Sequence, residues 1–436
     1  MLYSAVRMNK PNFLLTCKSF TVSFLQQGRT VGSSSASAKA KRDLSSILPR
    51  SVPKATATIK NRILFTNRNN KNIVKRTMSS SGGGDFRAWR VEETEDGGFV
   101  GSEQILSHCA DDIDENKGKR VLIKVTHSSL NYKDALSASG NKGVTRKFPH
   151  TPGIDAAGTI VGDPNSNYNA SALVTGYDLG MNTDGGFGEF IRVPPEWIVT
   201  PNPFASGDET DHEAAAKTSM VYGTAGLTAG LSVQKLLATG KADPSDGKVL
   251  VTGATGGVGS IAVEILAKIG FDVVALTGKR EETDKLMELG ASEVVGREAL
   301  EPTKKPMLRP LYAHAIDTVG GSPLAEILKQ IKHGGSVTAC GNVAGMALET
   351  NVLPFILRGV QLLGVDSVEI SLEEKQSVWE KLSGEWRCFK SEAFAKEIGR
   401  DGLDESLKCM LEGNASGKVV LVHRLTADSS TSHSKL

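Results

Sequence analysis

The sequence predicts an α/β protein with a β-rich domain followed by a doubly wound parallel sheet. Short β-branched runs bounded by Gly, Pro, Asn and Asp fill residues 86–200. Strands and helices then alternate between residues 248 and 340, and a glycine-rich turn joins the first of these strands to its helix. A chain of 436 residues is long enough for two or three domains, each with a core.

Positive charge is concentrated in the first 84 residues. They carry 15 Lys and Arg and one acidic residue, Asp43, whereas the rest of the chain carries 36 Lys and Arg against 48 Asp and Glu. A basic, acid-poor, Ser/Thr-rich leader is typical of an organelle transit peptide. We expect residues 1–84 to be a disordered transit peptide for the mitochondrion or, alternatively, a plastid. A basic tail that touches nucleic acid or anionic lipid fits the charge equally well but not the abrupt change at 79–84.

Several classes of protein are not expected from the composition. No apolar run reaches the roughly 18 residues that cross a bilayer. The five cysteines are scattered without a C-x-x-C pair, and the eight histidines show no paired-ligand spacing. We therefore predict neither a membrane span, nor a disulfide framework, nor a metal site.

The β-rich domain is predicted over residues 85–218. Its strands are expected at 88–92, 120–127, 154–161, 189–193 and 198–200, a spacing that suggests a distorted antiparallel barrel. A long apolar helix follows, opening at Glu213 and running towards Leu237.

The parallel-sheet domain is predicted over residues 219–366. Strands at 248–252, 272–277, 314–317 and 336–340 alternate with helices at 258–269, 281–289 and 323–331. Residues 367–436 contain amphipathic helices, then a β-branched run at 418–423 that could return to the first domain, and a flexible tail.

The glycine-rich turn is the sharpest local motif. An apolar strand ends in Ala254-x-Gly256-x-x-Gly259 and leads directly into a helix, whose unpaired amides can face a pyrophosphate. A plain glycine-rich turn is the alternative, and the flanking alternation of strands and helices argues against it. The predicted cofactor-binding residues here are Ala254, Thr255, Gly256, Gly257, Val258 and Gly259.

The end of the second strand indicates which dinucleotide binds. An NAD site needs a carboxylate at this point, whereas the sequence reads Thr277-Gly-Lys279-Arg280. We therefore predict NADPH, held by Thr277, Lys279 and Arg280. The alternative, that the two cations are merely solvated, leaves the missing carboxylate unexplained.

These features together resemble a known family. The motifs in order are Asn131-Tyr-Lys-Asp134, residues 152–158 (PGIDAAG), 185–190 (GGFGEF), 223–228 (GTAGLT), 252–259 (TGATGGVG) and 353–359 (LPFILRG). Over about residues 86–424 the chain resembles the medium-chain dehydrogenase/reductase superfamily, in the zinc-free branch of YhdH/YhfP-type quinone oxidoreductases and acryloyl-CoA reductases. The resemblance implies a GroES-like catalytic domain and a Rossmann domain, with the active site in the cleft between them.

The resemblance also implies site residues. Asn131, Tyr132 and Asp134 match the active-site motif of this branch, and Thr228 matches a residue that touches the nicotinamide. Alternatively, Asp134 caps a helix, Asn131 shapes a turn and Thr228 packs within its helix. Gly341 and Asn342, after a strand of the parallel sheet, are expected to form a wall of the nicotinamide pocket.

The expected function is NADPH-dependent reduction of an activated C=C bond without a metal. Ile154 stands where zinc relatives have a ligand histidine, and isoleucine cannot bind a metal. A short 2-enoyl-CoA, similar to acryloyl-CoA, is the first expected substrate and a quinone the second. Arg358 could contact an anionic substrate, but a surface salt bridge is the commoner role of a single arginine. A non-catalytic NADPH-binding sensor or structural protein is the alternative from another class. A homodimer is also expected.

Overall fold

The computed structural model describes residues 83–109, 120–162, 169–207 and 211–423. The predicted transit peptide, 1–84, therefore lies outside the described residues except for Gly83 and Gly84. Within the described ranges, no helix is both long and apolar enough to span a membrane.

The body begins with a long hairpin. Strand β1 (Gly83–Glu93) pairs antiparallel with β2 (Phe99–Cys109) along its whole length. Sequence analysis found part of β1 but missed β2. Of the eleven residues of β2 only Val100 and Ile105 are β-branched, so its intrinsic preference for a strand is weak and pairing with β1 supplies the stabilisation.

The β-rich domain continues with shorter elements, most of whose strand residues are buried. They are β3 (Val121–Ser129), α1 (Tyr132–Ala138), β4 (Asp155–Gly162), β5 (Ser171–Thr175), β6 (Phe190–Val193) and β7 (Ile198–Val199).

A long helix, α2 (His212–Ala238), leads out of this domain. It is kinked at Gly223, whose φ of 52° and ψ of −154° are not helical. The residues before and after Gly223 therefore form two consecutive helices, both largely buried. The second of them packs against the parallel sheet.

The second domain is an all-parallel sheet with order β10-β9-β8-β11-β12-β13. Strand order reverses between β8 and β11, the point at which such sheets bind ligands. The elements are β8 (Val249–Thr252), α3 (Gly257–Lys268), β9 (Val273–Leu276), α4 (Thr283–Leu289), β10 (Glu293–Val295), β11 (His314–Asp317), α5 (Gly321–Gln330), β12 (Ser336–Ala339), α6 (Leu353–Arg358) and β13 (Gln361–Gly364).

The last part of the described chain returns to the first sheet. Its elements are α7 (Leu372–Ser383), α8 (Phe389–Phe394), β14 (Lys396–Ile398), α9 (Leu403–Leu411) and β15 (Val419–Val422). Strand β15 pairs antiparallel with β3, giving a seven-stranded sheet of order β14-β15-β3-β4-β5-β7 in which β6 also pairs with β3. The predicted fold class, a GroES-like β-rich domain plus a Rossmann sheet, is confirmed.

Candidate active site

The glycine-rich turn lies at the carboxyl end of β8 and opens into α3. A Cβ at Gly259 would stand 2.3 Å from the carbonyl oxygen of Gly253, so a larger residue would force the turn apart. Gly256 is the N-cap, and α3 begins at Gly257. The first amides of a helix have no partner within it and attract anions. The turn is a cradle that fits a pyrophosphate, and it contains all the predicted loop residues: Ala254, Thr255, Gly256, Gly257, Val258 and Gly259.

Thr277, Lys279 and Arg280 follow β9 beside this cradle. The hydroxyl of Thr277 accepts the backbone amide of Lys279 at 3.0 Å. The ammonium of Lys279 donates to the carbonyl of Ala415, and Arg280 forms an ion pair with Glu298. Both predicted cations are thus held by other parts of the chain.

A third cation also lies beside the end of β9. Arg297 packs directly on Gly278, because a Cβ on that glycine would stand 2.4 Å from Nε of Arg297. The Arg297 side chain is exposed, and no ion pair holds it within the described part of the chain. Sequence analysis missed Arg297 because it follows β10 rather than β9.

Thr228, Gly341 and Asn342 lie towards the carboxyl edge of the parallel sheet. A Cβ at Gly341 would collide with the backbone that follows β11, at 1.8 Å, so the turns after β11 and β12 are in close contact. Asn342 is exposed in the same turn. The Thr228 hydroxyl bonds to Thr224 O at 2.7 Å and to Ser367 Oγ at 2.9 Å, which joins α2 to the segment after β13.

Asn131 lies at the centre of a largely buried polar network. It is the N-cap of α1. Its side-chain amide donates to Asp155 Oδ2 at 2.7 Å and to Ser129 O at 3.3 Å, and its Oδ1 accepts from Lys418 Nζ at 3.4 Å. Its backbone amide donates to Asp134 Oδ2 at 2.8 Å. Since the side chain is satisfied inside the protein, its geometry is that of a positioning residue.

Asp155 anchors this network to the kink of α2. Its carboxylate is fully buried and accepts the Thr224 backbone amide at 2.8 Å and the Thr224 hydroxyl at 2.5 Å. A Cβ at Gly223 would stand 2.4 Å from Oδ2 of Asp155. Because glycine has no Cβ, the Asp155 carboxylate can lie against the kink and cap the second half of α2. We call Asn131, Asp134, Asp155, Thr224 and Lys418 the polar network.

Asp134 is also fully buried, and it shares the network with Asp155. Its Oδ1 accepts the backbone amide of Ile154 at 2.8 Å. Burial and the nearby charge of Asp155 raise the pKa of Asp134 to about 7, although hydrogen bonds from Ile154 and Asn131 oppose the rise. The carboxyl group can therefore change protonation near neutral pH.

Lys418 connects the polar network to the cradle. Only 5% of the residue is exposed, and a Cβ at Gly257 would stand 3.0 Å from its Cδ. The neighbouring Gly417 amide donates to Thr255 O at 2.9 Å. Burial lowers the pKa of Lys418, and the charges of Asp155 and Asp134 partly offset this effect.

Tyr132 is the predicted catalytic residue with an available functional group. It begins α1 directly after Asn131, and 41% of it is exposed. Its hydroxyl has no hydrogen-bond partner among the described residues. The phenol is therefore exposed and available as a hydrogen-bond donor.

The neighbourhood of Ile154 contains no ligand set for a metal. Ile154 is buried, and its amide is used by Asp134. Over the described ranges, no three His, Cys, Asp or Glu side chains are grouped so that they could hold a metal ion.

Arg358 does not have the role that the sequence suggested. Its guanidinium donates to the carbonyl oxygens of Lys329 at 2.9 Å, Ile331 at 3.0 Å and Leu308 at 2.6 Å. These backbone carbonyl groups engage the guanidinium, whereas the sequence suggested a substrate contact or, more commonly, a surface salt bridge.

Sequence analysis missed three members of the polar network: Asp155, Thr224 and Lys418. The sequence does give an indication for Asp155, because a carboxylate at the start of an apolar strand needs hydrogen-bond partners when the strand is buried. Lys418 had none, because it lies 287 residues from Asn131 along the chain.

Two family models match the chain. One is described as an alcohol dehydrogenase GroES-like domain and matches residues 117–203, and the other is described as a zinc-binding dehydrogenase and matches residues 257–384. Together they cover parts of both domains described above.

Individual relatives match over most of their length. YhfP of Bacillus subtilis is 43% identical over 305 residues, which are 69% of this chain and 89% of YhfP. The acrylyl-CoA reductase AcuI of Ruegeria pomeroyi is 38% identical over 304 residues, 69% of this chain and 89% of AcuI. The crystal structure of the YhdH oxidoreductase of Salmonella enterica, in complex with NADP, has a TM-score of 0.69 at 36% identity and covers 78% of this chain and all of YhdH.

Proposed function

The chain belongs to the medium-chain dehydrogenase/reductase superfamily of oxidoreductases, in the branch that contains YhfP, YhdH and AcuI, and we propose that it is an NADPH-dependent reductase of a short 2-enoyl-CoA. The observation that carries this proposal is the exposed phenol of Tyr132, which has no hydrogen-bond partner among the described residues and directly follows Asn131 of the polar network. Such a phenol can donate a proton, and the network beside it reaches the cradle through Lys418.

The residues present fit each part of this reaction. NADPH, when bound, supplies the hydride. The amides at the start of α3 would hold the pyrophosphate. Thr277 directly follows β9, at the position where such folds bind the adenosine ribose. After hydride reaches the β-carbon, the enolate needs a hydrogen-bond donor and then a proton at the α-carbon. Tyr132, a bound water or solvent supplies this proton, and Asn131 fixes the start of α1 that carries the tyrosine.

The direct test compares substrates side by side. Turnover of acryloyl-CoA, crotonoyl-CoA and a benzoquinone is measured with NADPH and with NADH. We expect kcat/KM to be highest for acryloyl-CoA with NADPH. If the benzoquinone is reduced best, the protein is a quinone oxidoreductase. If NADPH binds but none of the three is reduced, the non-catalytic alternative is supported.

The choice of NADPH over NADH depends on a cation near the 2′-phosphate. Arg297 is the best placed, because its guanidinium lies on Gly278 and is not held by an ion pair in the described residues. Lys279 and Arg280, predicted from the sequence, would first have to leave Ala415 and Glu298. We therefore assign the main contribution to Arg297.

A homodimer is the proposed assembly. Among the described strands, β13 is one of the two outer strands of the parallel sheet, and Val352, Ile356 and Leu357, in the segment before it, are more than 60% exposed. An open edge with apolar neighbours pairs well with its own copy about a two-fold axis. Light scattering should give twice the chain mass, and Ile356→Glu should give a monomer. A monomeric parent protein would contradict the assignment.

Mitochondrial import is proposed for residues 1–84, with a plastid as the alternative. The excess of fourteen positive charges in this stretch supports it. Fusion of residues 1–84 to a fluorescent protein should direct it to mitochondria. Residues 79–436 alone should remain outside them and keep full activity.

A further inference from the structure

The polar network and the cradle meet at a single side chain. Lys418 has its stem against Gly257, where α3 begins, and its ammonium on Oδ1 of Asn131 at 3.4 Å. The ammonium also interacts electrostatically with Asp155 and Asp134. Asn131 joins the two regions, because its side-chain amide also donates to Asp155 Oδ2 at 2.7 Å, so one buried lysine connects the acid pair with the start of the cradle helix.

The charge balance of this group is uneven. Asp134 and Asp155 are both fully buried, and both interact electrostatically with Lys418. Asp155 has three hydrogen-bond donors, from Asn131 and Thr224, which stabilise its charge. Asp134 has mainly backbone amides and faces Asp155. Any further negative charge near Lys418 is therefore expected to act on Asp134, the less stabilised of the two.

A dinucleotide brings such a charge. The first amides of α3 would hold its pyrophosphate, which would bring negative charge close to Lys418, whose stem lies against Gly257. We propose that Lys418 links the cradle to the acid pair, so that binding of a dinucleotide is accompanied by uptake of protons from solvent at Asp134. This proposal rests on the proposed function only in taking the cradle as the dinucleotide site.

Other charged groups near the acid pair are few. Lys375, on α7, interacts with Asp155, and its ammonium donates to Thr175 O at 2.7 Å. Lys133 lies on α1 beside Asp134. Helix α9, which packs against α1, carries Asp404, Glu405 and Lys408. None of these touches the cradle, so Lys418 is the connection that the experiment has to test.

Calorimetry of cofactor binding measures the proposed proton directly. NADH is titrated into the full-length protein at pH 7 in phosphate and in Tris, whose ionisation enthalpies differ. NADH is the primary probe because it lacks the 2′-phosphate, which itself titrates near pH 6. With the pKa of Asp134 at about 7, we expect an uptake of up to about half a proton per site at pH 7, fading towards pH 5 and pH 9.

Variants at Lys418 separate linkage from structure. Lys418→Met should abolish the uptake at pH 7, because Asp134 is then protonated before the cofactor arrives. Lys418→Arg keeps the charge and should retain the uptake. Lys332→Met is the matched control, since its ammonium bonds to Asp246 O at the surface, and it should behave as the parent protein. Thermal unfolding of each variant verifies that it is folded.

The outcomes distinguish this inference from the proposed function. Tight NADH binding without proton uptake overturns the linkage and leaves the proposed function standing. Equal uptake in the parent protein and Lys418→Met also overturns it. Failure of both NADH and NADPH to bind would instead overturn the dinucleotide site itself.

Discussion

The cradle and the polar network lie side by side, yet the chain builds them in opposite ways. The cradle consists of consecutive residues, 254–259, between one strand and one helix. The polar network takes Asn131 and Asp134 from α1, Asp155 from β4, Thr224 from α2 and Lys418 from the segment before β15. The cradle binds through its backbone, whereas the network depends on side chains.

This difference predicts how each region responds to substitution. In the cradle, added volume does the damage, because backbone amides need an open approach. In the polar network, loss of one partner leaves a buried charge or donor unpaired. The following substitutions test that contrast. The first is at Tyr132, which is exposed beside the polar network.

The largest effect is expected for Tyr132→Phe. Removing the exposed hydroxyl should lower kcat by about 100- to 1000-fold, the usual cost of losing one donor to a developing oxyanion. Affinity for NADPH and thermal stability should hardly change, since the hydroxyl bonds to no described residue. Tyr312→Phe, in the core of the parallel-sheet domain, is the control. Full turnover in Tyr132→Phe would mean that water, and not Tyr132, supplies the proton.

Gly259→Val should lower affinity for NADPH by roughly 100-fold, because its Cβ would lie 2.3 Å from Gly253 O and open the cradle. Fluorescence titration measures the affinity. Gly364→Ala is the matched control, since a Cβ there meets no atom within 4 Å. Unchanged affinity in Gly259→Val would mean that the pyrophosphate does not bind at this turn.

Asp155→Asn should lower the free energy of unfolding by about 3 kcal/mol, because Lys418 loses a buried counter-charge and the new amide opposes that of Asn131. Urea unfolding measures the change. Exposed Asp401→Asn is the comparison and should change stability by less than about 0.5 kcal/mol. Equal effects would mean that the network contributes little to the fold.

Arg297→Ala should raise the KM for NADPH about tenfold and leave that for NADH nearly unchanged, since one charge-assisted contact is worth roughly 1.5–3 kcal/mol. Lys279→Ala and Arg280→Ala should have smaller effects, because their cations are already engaged. A larger effect at Lys279 or Arg280 than at Arg297 would restore the assignment made from the sequence.

The smallest effect is expected for chelation. Prolonged dialysis against EDTA should leave turnover unchanged, because Ile154 and its surroundings supply no ligand set within the described residues. Elemental analysis should find far less than one zinc per chain. Stoichiometric zinc in active protein, lost together with activity, would contradict a metal-free reaction.

The same contrast explains what the sequence could predict. The cradle was predicted residue by residue, because a strand, a glycine-rich turn and a helix are adjacent in the chain and their chemistry is local. Lys418 and Arg297 were missed because each acquires its surroundings only through folding. Lys279 is the opposite case. It follows β9 directly, as the sequence prediction requires, but its ammonium donates to the carbonyl of Ala415, a residue distant in the chain.

Strand pairing shows the same limit. The helices and strands of the parallel domain follow from periodicity, which reports local burial. Strand β2 has little periodicity and was missed, because its partner β1 provides what its own sequence lacks.

The pairing of β15 with β3 has a consequence for the order of events during synthesis. The ribosome releases residues 127–129 long before residues 419–422 exist, so this end of β3 lacks its β15 partner while the whole parallel domain is made, although residues 121–124 can already pair with β6. Such distant closures are slow and leave nascent chains open to aggregation. The newly made protein therefore passes through a stage in which the parallel domain can already form while the neighbouring sheet is incomplete. Chaperones that shield strand edges would act at that stage.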